Sequence, residues 1–241
     1  MNIKKPKLIV ALDVSTEQEA RKIINRLKDA VDIFKIGSQL FTAAGPEIVR
    51  YVLGKGKDVF LDLKFHDIPN TVAEAVRSVV RLNAFKKQAS SGKVIFCTLH
   101  ISGGEEMLKQ AVDAAQKESL ASGVYRPRLL GITVLTSDKG DSNTKSNVLS
   151  RALVAKSCGL DGVVSSVEEA ALLRKRTGRA FIIVTPGIRP SGEDAQDQKR
   201  VATPKAAVRS GSNFLVVGRP IVKAPDPFQA ALLITKEIDN P

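Results

Sequence analysis

Short apolar runs recur along the chain at residues 8–12, 33–36, 59–63, 94–99, 129–134, 162–165, 181–184 and 214–217, and each reads as a buried strand. Between them lie amphipathic stretches, among them 17–28, 71–85 and 105–118, whose apolar positions recur at intervals of three and four. Strand runs alternating with helical patterns predict parallel strands joined by crossover helices. Eight such units in 241 residues match the usual size of a (β/α)8 TIM barrel, roughly 250 residues. The expectation is an α/β chain forming a single (β/α)8 barrel domain over residues 1–241, with a doubly wound open sheet as the alternative that the pattern leaves standing. Two stretches rich in turn formers, 86–93 and 137–147, read as loops. A third, 186–200, carries prolines, glycines and mixed charge directly after the seventh run, where barrel enzymes keep mobile lids.

Side chains of a strand point alternately to opposite faces. In the run Val59 to Phe65 this puts Leu61, Leu63 and Phe65 on one face and Asp62 and Lys64 on the other. The apolar set should meet the helices, so an acid and a base point into the barrel near the strand's C-terminal end, where active sites of this fold lie. The same parity turns Leu8, Val10 and Leu12 outward and Ile9, Ala11 and Asp13 inward, and sets Lys35 opposite to Phe34 and Ile36. Three adjacent strands thus bring Asp13, Lys35, Asp62 and Lys64 into one small volume, with Asp67 just beyond in the turn to the next helix. Any one of these charges alone reads as an ordinary end-of-strand ion pair. Together they point to function, because inward barrel positions are mostly bulky and apolar and several buried charges are costly. His66 and His100 each read as a lone imidazole with no partner at metal-ligand spacing, and no metal site is expected.

Composition narrows the classes. Hydrophobic residues make up 43% and charged residues 26%, the balance of a folded globular chain. Cys97 and Cys158 sit in apolar or helical surroundings outside any C-x-x-C pair and read as reduced core thiols. The basic N-terminus is followed only by a short run interrupted at Asp13, which is not a signal peptide, and no apolar segment approaches the roughly 20 residues needed to cross a bilayer. A cytoplasmic protein without a membrane partner is expected. A net charge of +12 raises nucleic acid as a partner, but the basic residues are scattered among acids without interleaved aromatics, so no nucleic-acid function is expected.

A phosphate site is expected after the eighth run. Gly218 lets backbone N–H groups approach an anion, Arg219 supplies a fork of donors, and the loops after strands seven and eight form the common phosphate site of barrels. The final amphipathic helix is expected to begin at Pro225, and the lid opposite carries Arg189 and Gln198.

These residues carry a resemblance. Asp62-Leu63-Lys64-Phe65-His66-Asp67-Ile68-Pro69-Asn70-Thr71 holds a D-x-K-x-x-D pattern. Ala11-Leu12-Asp13, Lys35-Ile36-Gly37, the run Thr133 to Ser137, the run Thr185 to Pro190, Asp197 to Arg200 and Val217-Gly218-Arg219 support it in order. The chain resembles the orotidine 5′-monophosphate decarboxylases, of the shorter bacterial type, along essentially its whole length. The resemblance implies decarboxylation of orotidine 5′-monophosphate to uridine 5′-monophosphate without a cofactor. It also implies a homodimer with shared sites, in which Lys35, Asp62 and Lys64 come from one subunit and Asp67, Ile68 and Thr71 from the other. By the same carry-over Asp13 and Lys35 hold the ribose, Thr136 meets the pyrimidine, and Arg189, Gln198, Gly218 and Arg219 hold the phosphate. In the lid, Gln196 stands where similar sequences often have Gly, and the 86–93 stretch looks like an insertion. The rival within the superfamily is a magnesium-dependent sugar-phosphate decarboxylase or aldolase, which also carries D-x-K-x-x-D; the rival from another class is a basic nucleic-acid-binding protein.

Overall fold

The computed structural model of the chain describes residues 5–85, 92–134, 143–190 and 202–241. Eight parallel strands form a closed barrel in sequence order: β1 (Lys7–Ala11), β2 (Ile33–Gly37), β3 (Asp58–Phe65), β4 (Val94–His100), β5 (Arg128–Ile132), β6 (Gly162–Val164), β7 (Ile182–Thr185) and β8 (Phe214–Val217). Closure is direct, with β1 pairing with β8 from Lys7↔Phe214 to Val10↔Val217, and this removes the open-sheet alternative. The helices are α1 (Glu17–Leu27), α2 (Ser38–Gly54), α3 (Pro69–Arg81), α4 (Glu105–Ser122), α5 (Thr144–Ser157), α6 (Val167–Thr177), α7 (Pro204–Arg209), a single turn α8 (Arg219–Val222) and α9 (Pro227–Asp239).

Their ends follow local chemistry. Thr16 caps α1 by accepting from the Glu19 N–H at 3.2 Å, with the acid three residues on as a capping box requires. α3 begins at Pro69, whose missing N–H costs nothing in a first turn, and buries Val72, Ala73, Val76, Val79 and Val80 as one stripe. The last helix starts at Pro227 rather than Pro225, because the Asp226 carboxylate accepts from the N–H groups of Phe228 and Gln229 and so sets the cap one residue later than the first proline. The stretch 137–147 is not all loop, since α5 already begins at Thr144. Residues 86–91 and 135–142, and with them most of both expected loops, lie outside the described residues, as do 191–201 of the expected lid.

Two apolar layers result. Leu8, Val10, Leu12, Phe34, Ile36 and Leu61 pack outward under the helices, while Ile9, Ala11, Ile33, Phe60, Phe96, Phe214 and Val216 fill the barrel, as parity requires for the first three strands. Gly162 permits the closeness of β6 and β7: a Cβ there would lie 2.3 Å from the Ile182 carbonyl oxygen. Alternation fails in two places, both between β3 and β4. Val59 pairs with Val94 but Phe60 with Phe96, so Ile95 is an extra residue; further on, Leu61 pairs with Cys97 but Phe65 with Leu99, leaving β3 with two residues more than its neighbour.

At the barrel's centre Phe96 meets Phe60 edge-on, with centroids 5.7 Å apart at 83°, and Phe214 at 4.9 Å and 77°. Phe96→Ala should therefore cost about 3–5 kcal/mol in denaturant unfolding. A loss below about 1 kcal/mol would mean that the interior is not close-packed around this ring.

Candidate active site

A cleft of about 400 Å³ opens at the C-terminal ends of the strands. One part of its wall is charged. Asp13 follows β1 by two residues, Lys35 lies on β2, and Asp62 and Lys64 lie on β3. The Lys35 ammonium donates to Asp13 Oδ1 at 2.9 Å and lies 3.6 Å from Asp62 Oδ2, and the same Oδ2 accepts from Lys64 Nζ at 2.8 Å. The order is acid, base, acid, base along one line of contacts, as parity and strand adjacency predict. Gly37 adjoins it at the end of β2: a Cβ there would come within 3.1 Å of Lys35 Nζ, so a side chain at this position would press on the array.

The electrostatics follow from burial and neighbours. Asp62 is 8% exposed. Burial pushes its carboxyl upward, but Lys35, Lys64 and hydrogen bonds from Lys64 and Thr98 outweigh it and hold the group below the usual carboxylate value. Lys35 shows the mirror image. Burial pushes its ammonium down, yet Asp62 and Asp13 hold it above the ordinary lysine value.

Lys64 reaches Asp62 by a route that strand alternation does not anticipate. It is the one described non-glycine residue with positive φ, at 52°, which costs an L-residue roughly 1–2 kcal/mol. It sits within the second irregularity of the β3–β4 ladder. Its backbone N–H donates not to a strand carbonyl but to Thr98 Oγ1 at 2.8 Å, and that hydroxyl donates in turn to Asp62 Oδ1 at 3.0 Å. Thr98 is fully buried and was not singled out from the sequence. The available signal was a hydroxyl within the otherwise apolar run 94–99.

His66 and His100 are not isolated imidazoles. The irregular β3–β4 pairing brings their rings to 5.4 Å between centroids at 37°, which 34 residues of sequence separation had concealed. Burial first, then His66, Lys64 and Arg151, push the His100 imidazole below the ordinary histidine value.

Asp67 lies apart from the array. Its carboxylate accepts from the Ile68 N–H at 2.7 Å, and among the described residues it forms no ion pair with Lys64. Ile68 precedes α3 with 66% of its surface exposed, and Thr71, in the first turn, is exposed as well. Asp67, Ile68 and Thr71 are thus all exposed, at the end of the D-x-K-x-x-D motif and just after it.

The cleft wall also holds Arg189, Gly218 and Arg219. Gly218 precedes α8 and faces β1, where an added Cβ would lie 3.6 Å from Ala11 Cβ and 4.0 Å from Asp13 Oδ2. Arg189 follows β7, and the base of its loop is pinned by Arg189 N–H to Ala202 O at 2.9 Å and Ala202 N–H to Gly187 O at 3.2 Å. Thr136 and Gln198 lie outside the described residues. Between the polar regions the cleft wall is apolar, with Phe60, Ile132, Val164 and Val216.

A closed parallel barrel with an acid–base array and a Gly-Arg turn at its C-terminal mouth defines the class, a TIM-barrel enzyme. Residues 6–234 match the family described as "Orotidine 5'-phosphate decarboxylase / HUMPS family", and the chain belongs to that family. Proteins named orotidine 5'-phosphate decarboxylase from Moorella thermoacetica and Coxiella burnetii are 44% and 46% identical to it. The matches cover 98% and 97% of this chain and 93% and 97% of those proteins. The crystal structure of orotidine 5'-phosphate decarboxylase from Lactobacillus acidophilus superposes with a TM-score of 0.81 at 37% identity, covering 98% of this chain and all of that one.

A carboxyl held below its usual value contributes stability that is present above its unfolded value, near 3.9, and is lost as the pH falls through the folded value. Asp62→Asn should cost on the order of 3 kcal/mol at neutral pH, because it takes from the buried Lys35 ammonium one of its two acids and leaves it with Asp13 alone, and removes the acid that Lys64 pairs with. The gap between the two proteins in denaturant unfolding should be level between about pH 5 and 8 and shrink below about pH 4. A gap that persisted unchanged in acid would contradict the ionised Asp62.

Proposed function

We propose that this protein decarboxylates orotidine 5′-monophosphate to uridine 5′-monophosphate, with residues 1–241 acting as one barrel domain in the cytoplasm. The observation that carries this reading is the Lys64 ammonium fixed 2.8 Å from a buried Asp62 at the mouth of a cleft that also presents Arg189, Gly218 and Arg219. The relatives' names supply the substrate. No described helix is long and apolar enough to cross a membrane.

Chemistry and geometry agree. When the bond from ring carbon 6 to the carboxylate breaks, the electron pair stays in the ring plane and cannot spread into the π system. A fixed cation beside that carbon is then the direct remedy. A unit charge at 4 Å and an effective dielectric near 20 contributes roughly 4 kcal/mol, provided it need not reorient. Lys64 is the cation and then the acid: CO2 leaves, one Nζ–H bond breaks with its electron pair staying on nitrogen, the proton joins the carbon 6 electron pair, and a proton from solvent returns the amine to the ammonium. Asp62 orients the ammonium. Its Oδ1 is engaged by Thr98 and its Oδ2 by both lysines, and the names of the similar proteins favour this reading over the magnesium-dependent sugar-phosphate one.

Asp13 and Lys35 would hold the ribose and the apolar wall the pyrimidine, with Thr136 beside it. Arg189, Gln198, Gly218 and Arg219 would take the phosphate, whose binding energy serves the step at the far end. We also propose a homodimer in which Asp67, with Ile68 and Thr71, enters the partner's site. An apolar side chain 66% exposed beside a carboxylate that accepts from the adjacent Ile68 N–H, and that pairs with no cation among the described residues, supports that arrangement.

Loss of the orotidylate ultraviolet band, followed with a metal chelator present, tests the activity. Turnover is expected without added metal, and turnover only with Mg²⁺ would overturn the reading. Lys64→Ala should lower kcat by at least about 10³-fold in a folded protein, whereas Arg219→Ala should chiefly raise KM. Mixing Lys64→Ala with Asp67→Asn subunits should restore up to about a quarter of native activity, since half the dimers would hold one intact site. No recovery after subunit exchange would contradict the shared site.

A further inference from the structure

We propose that Thr98 is a positioning residue for the decarboxylation, holding the Lys64 backbone and the Asp62 carboxylate in register through one hydroxyl group. The inference rests on the reading of the reaction given above and adds to it a residue from β4, a strand that supplies none of the array's charges.

Between Leu61↔Cys97 and Phe65↔Leu99 β3 and β4 run out of step, so the usual carbonyl partner for the Lys64 N–H is displaced. At φ 52° that N–H points away from regular strand geometry. Thr98 fills the gap by accepting from it at 2.8 Å. A hydroxyl has one donor and two acceptor positions, and the donor is spent on Asp62 Oδ1 at 3.0 Å. The two ends of the contact are therefore the main chain of the residue that carries the ammonium and the carboxylate that orients it. Lys64 Nζ and Asp62 Oδ2 meet at 2.8 Å on the other side, which closes a ring: Thr98 hydroxyl, Lys64 backbone, Lys64 side chain, Asp62 carboxylate, Thr98. Complete burial of Thr98 means that water cannot readily replace it.

Such a ring fixes where the ammonium can sit. With the hydroxyl gone, the Lys64 N–H is left without its acceptor, the left-handed residue loses what holds it, and Asp62 can rotate about its carboxyl bond. Substrate binding at Arg189, Gly218 and Arg219, none of which Thr98 is bonded to in the ring, is untouched. The expected signature is a fall in kcat with little change in KM.

Thr98→Val keeps the shape and removes the hydroxyl; Thr98→Ser keeps the hydroxyl and removes a methyl group. Thr98→Val should lower kcat by roughly tenfold to a hundredfold with KM within about threefold of native, and Thr98→Ser should stay within about threefold in both. The acid limb of the kcat profile should also move to higher pH in Thr98→Val, since a hydrogen bond that favours the ionised Asp62 is lost. Should the valine variant fail to fold, Thr98→Ala against Thr98→Ser makes the same comparison. A valine or alanine variant with native kcat, or a serine variant as impaired as the valine one, would overturn the proposal. An inactive native protein would overturn instead the decarboxylation reading beneath it, so the two failures are distinguishable.

Discussion

A carboxylate inside a barrel stays ionised only when its oxygens are engaged, and Asp62 has both engaged, Oδ1 by the Thr98 hydroxyl and Oδ2 by the ammonium groups of Lys64 and Lys35. Much else in the mouth follows from that requirement. Lys35 is in turn too buried to remain an ammonium without acids on both sides, so Asp13 completes the line. Gly37 leaves the space that the Lys35 head occupies. Lys64 accepts a left-handed backbone conformation in order to bring its amine back to Asp62. An array of this kind is preorganised: its charges are oriented before any substrate arrives, and that is the condition under which a fixed cation stabilises a developing anion most.

The rest of the barrel serves as the frame. The edge-on cluster of Phe60, Phe96 and Phe214 helps to fill the interior, so β3, which carries Asp62 and Lys64, cannot slide against β4 without disrupting a close-packed centre. The Gly-Arg turn after β8 lies beside Ala11 and Asp13, which joins the proposed phosphate end to the charged end through β1. The proposed anion site after β8 and the charged side chains of β1 to β3 thus belong to one closed sheet.

Much of this was legible in the sequence, for physical reasons. Eight apolar runs separated by amphipathic stretches admit few topologies, and closure between β1 and β8 chose among them. Strand parity brought Asp13, Lys35, Asp62 and Lys64 together because β1 and β2 alternate regularly and the side chains at issue are long enough to absorb the distortion at Lys64. Parity could not find Thr98. The extra residue at Ile95 reverses the alternation of β4, so counting from the outward Val94 points Thr98 away from the site that it reaches. The nearness of His66 and His100 was hidden by the same irregular pairing. The start of the last helix was misplaced because two prolines flank the junction and only the Asp226 cap decides between them.

In the proposed reaction a protonated Lys64 delivers its proton to the carbon that has just lost CO2. The decisive experiment runs the reaction in D2O with a metal chelator, counts the CO2 released and locates the label in the nucleotide product by NMR. One CO2 per nucleotide is expected, with a deuteron at ring carbon 6 and loss of both signals together when Lys64 is replaced by alanine. CO2 release and labelling that continued at the native rate in the Lys64→Ala protein would contradict it.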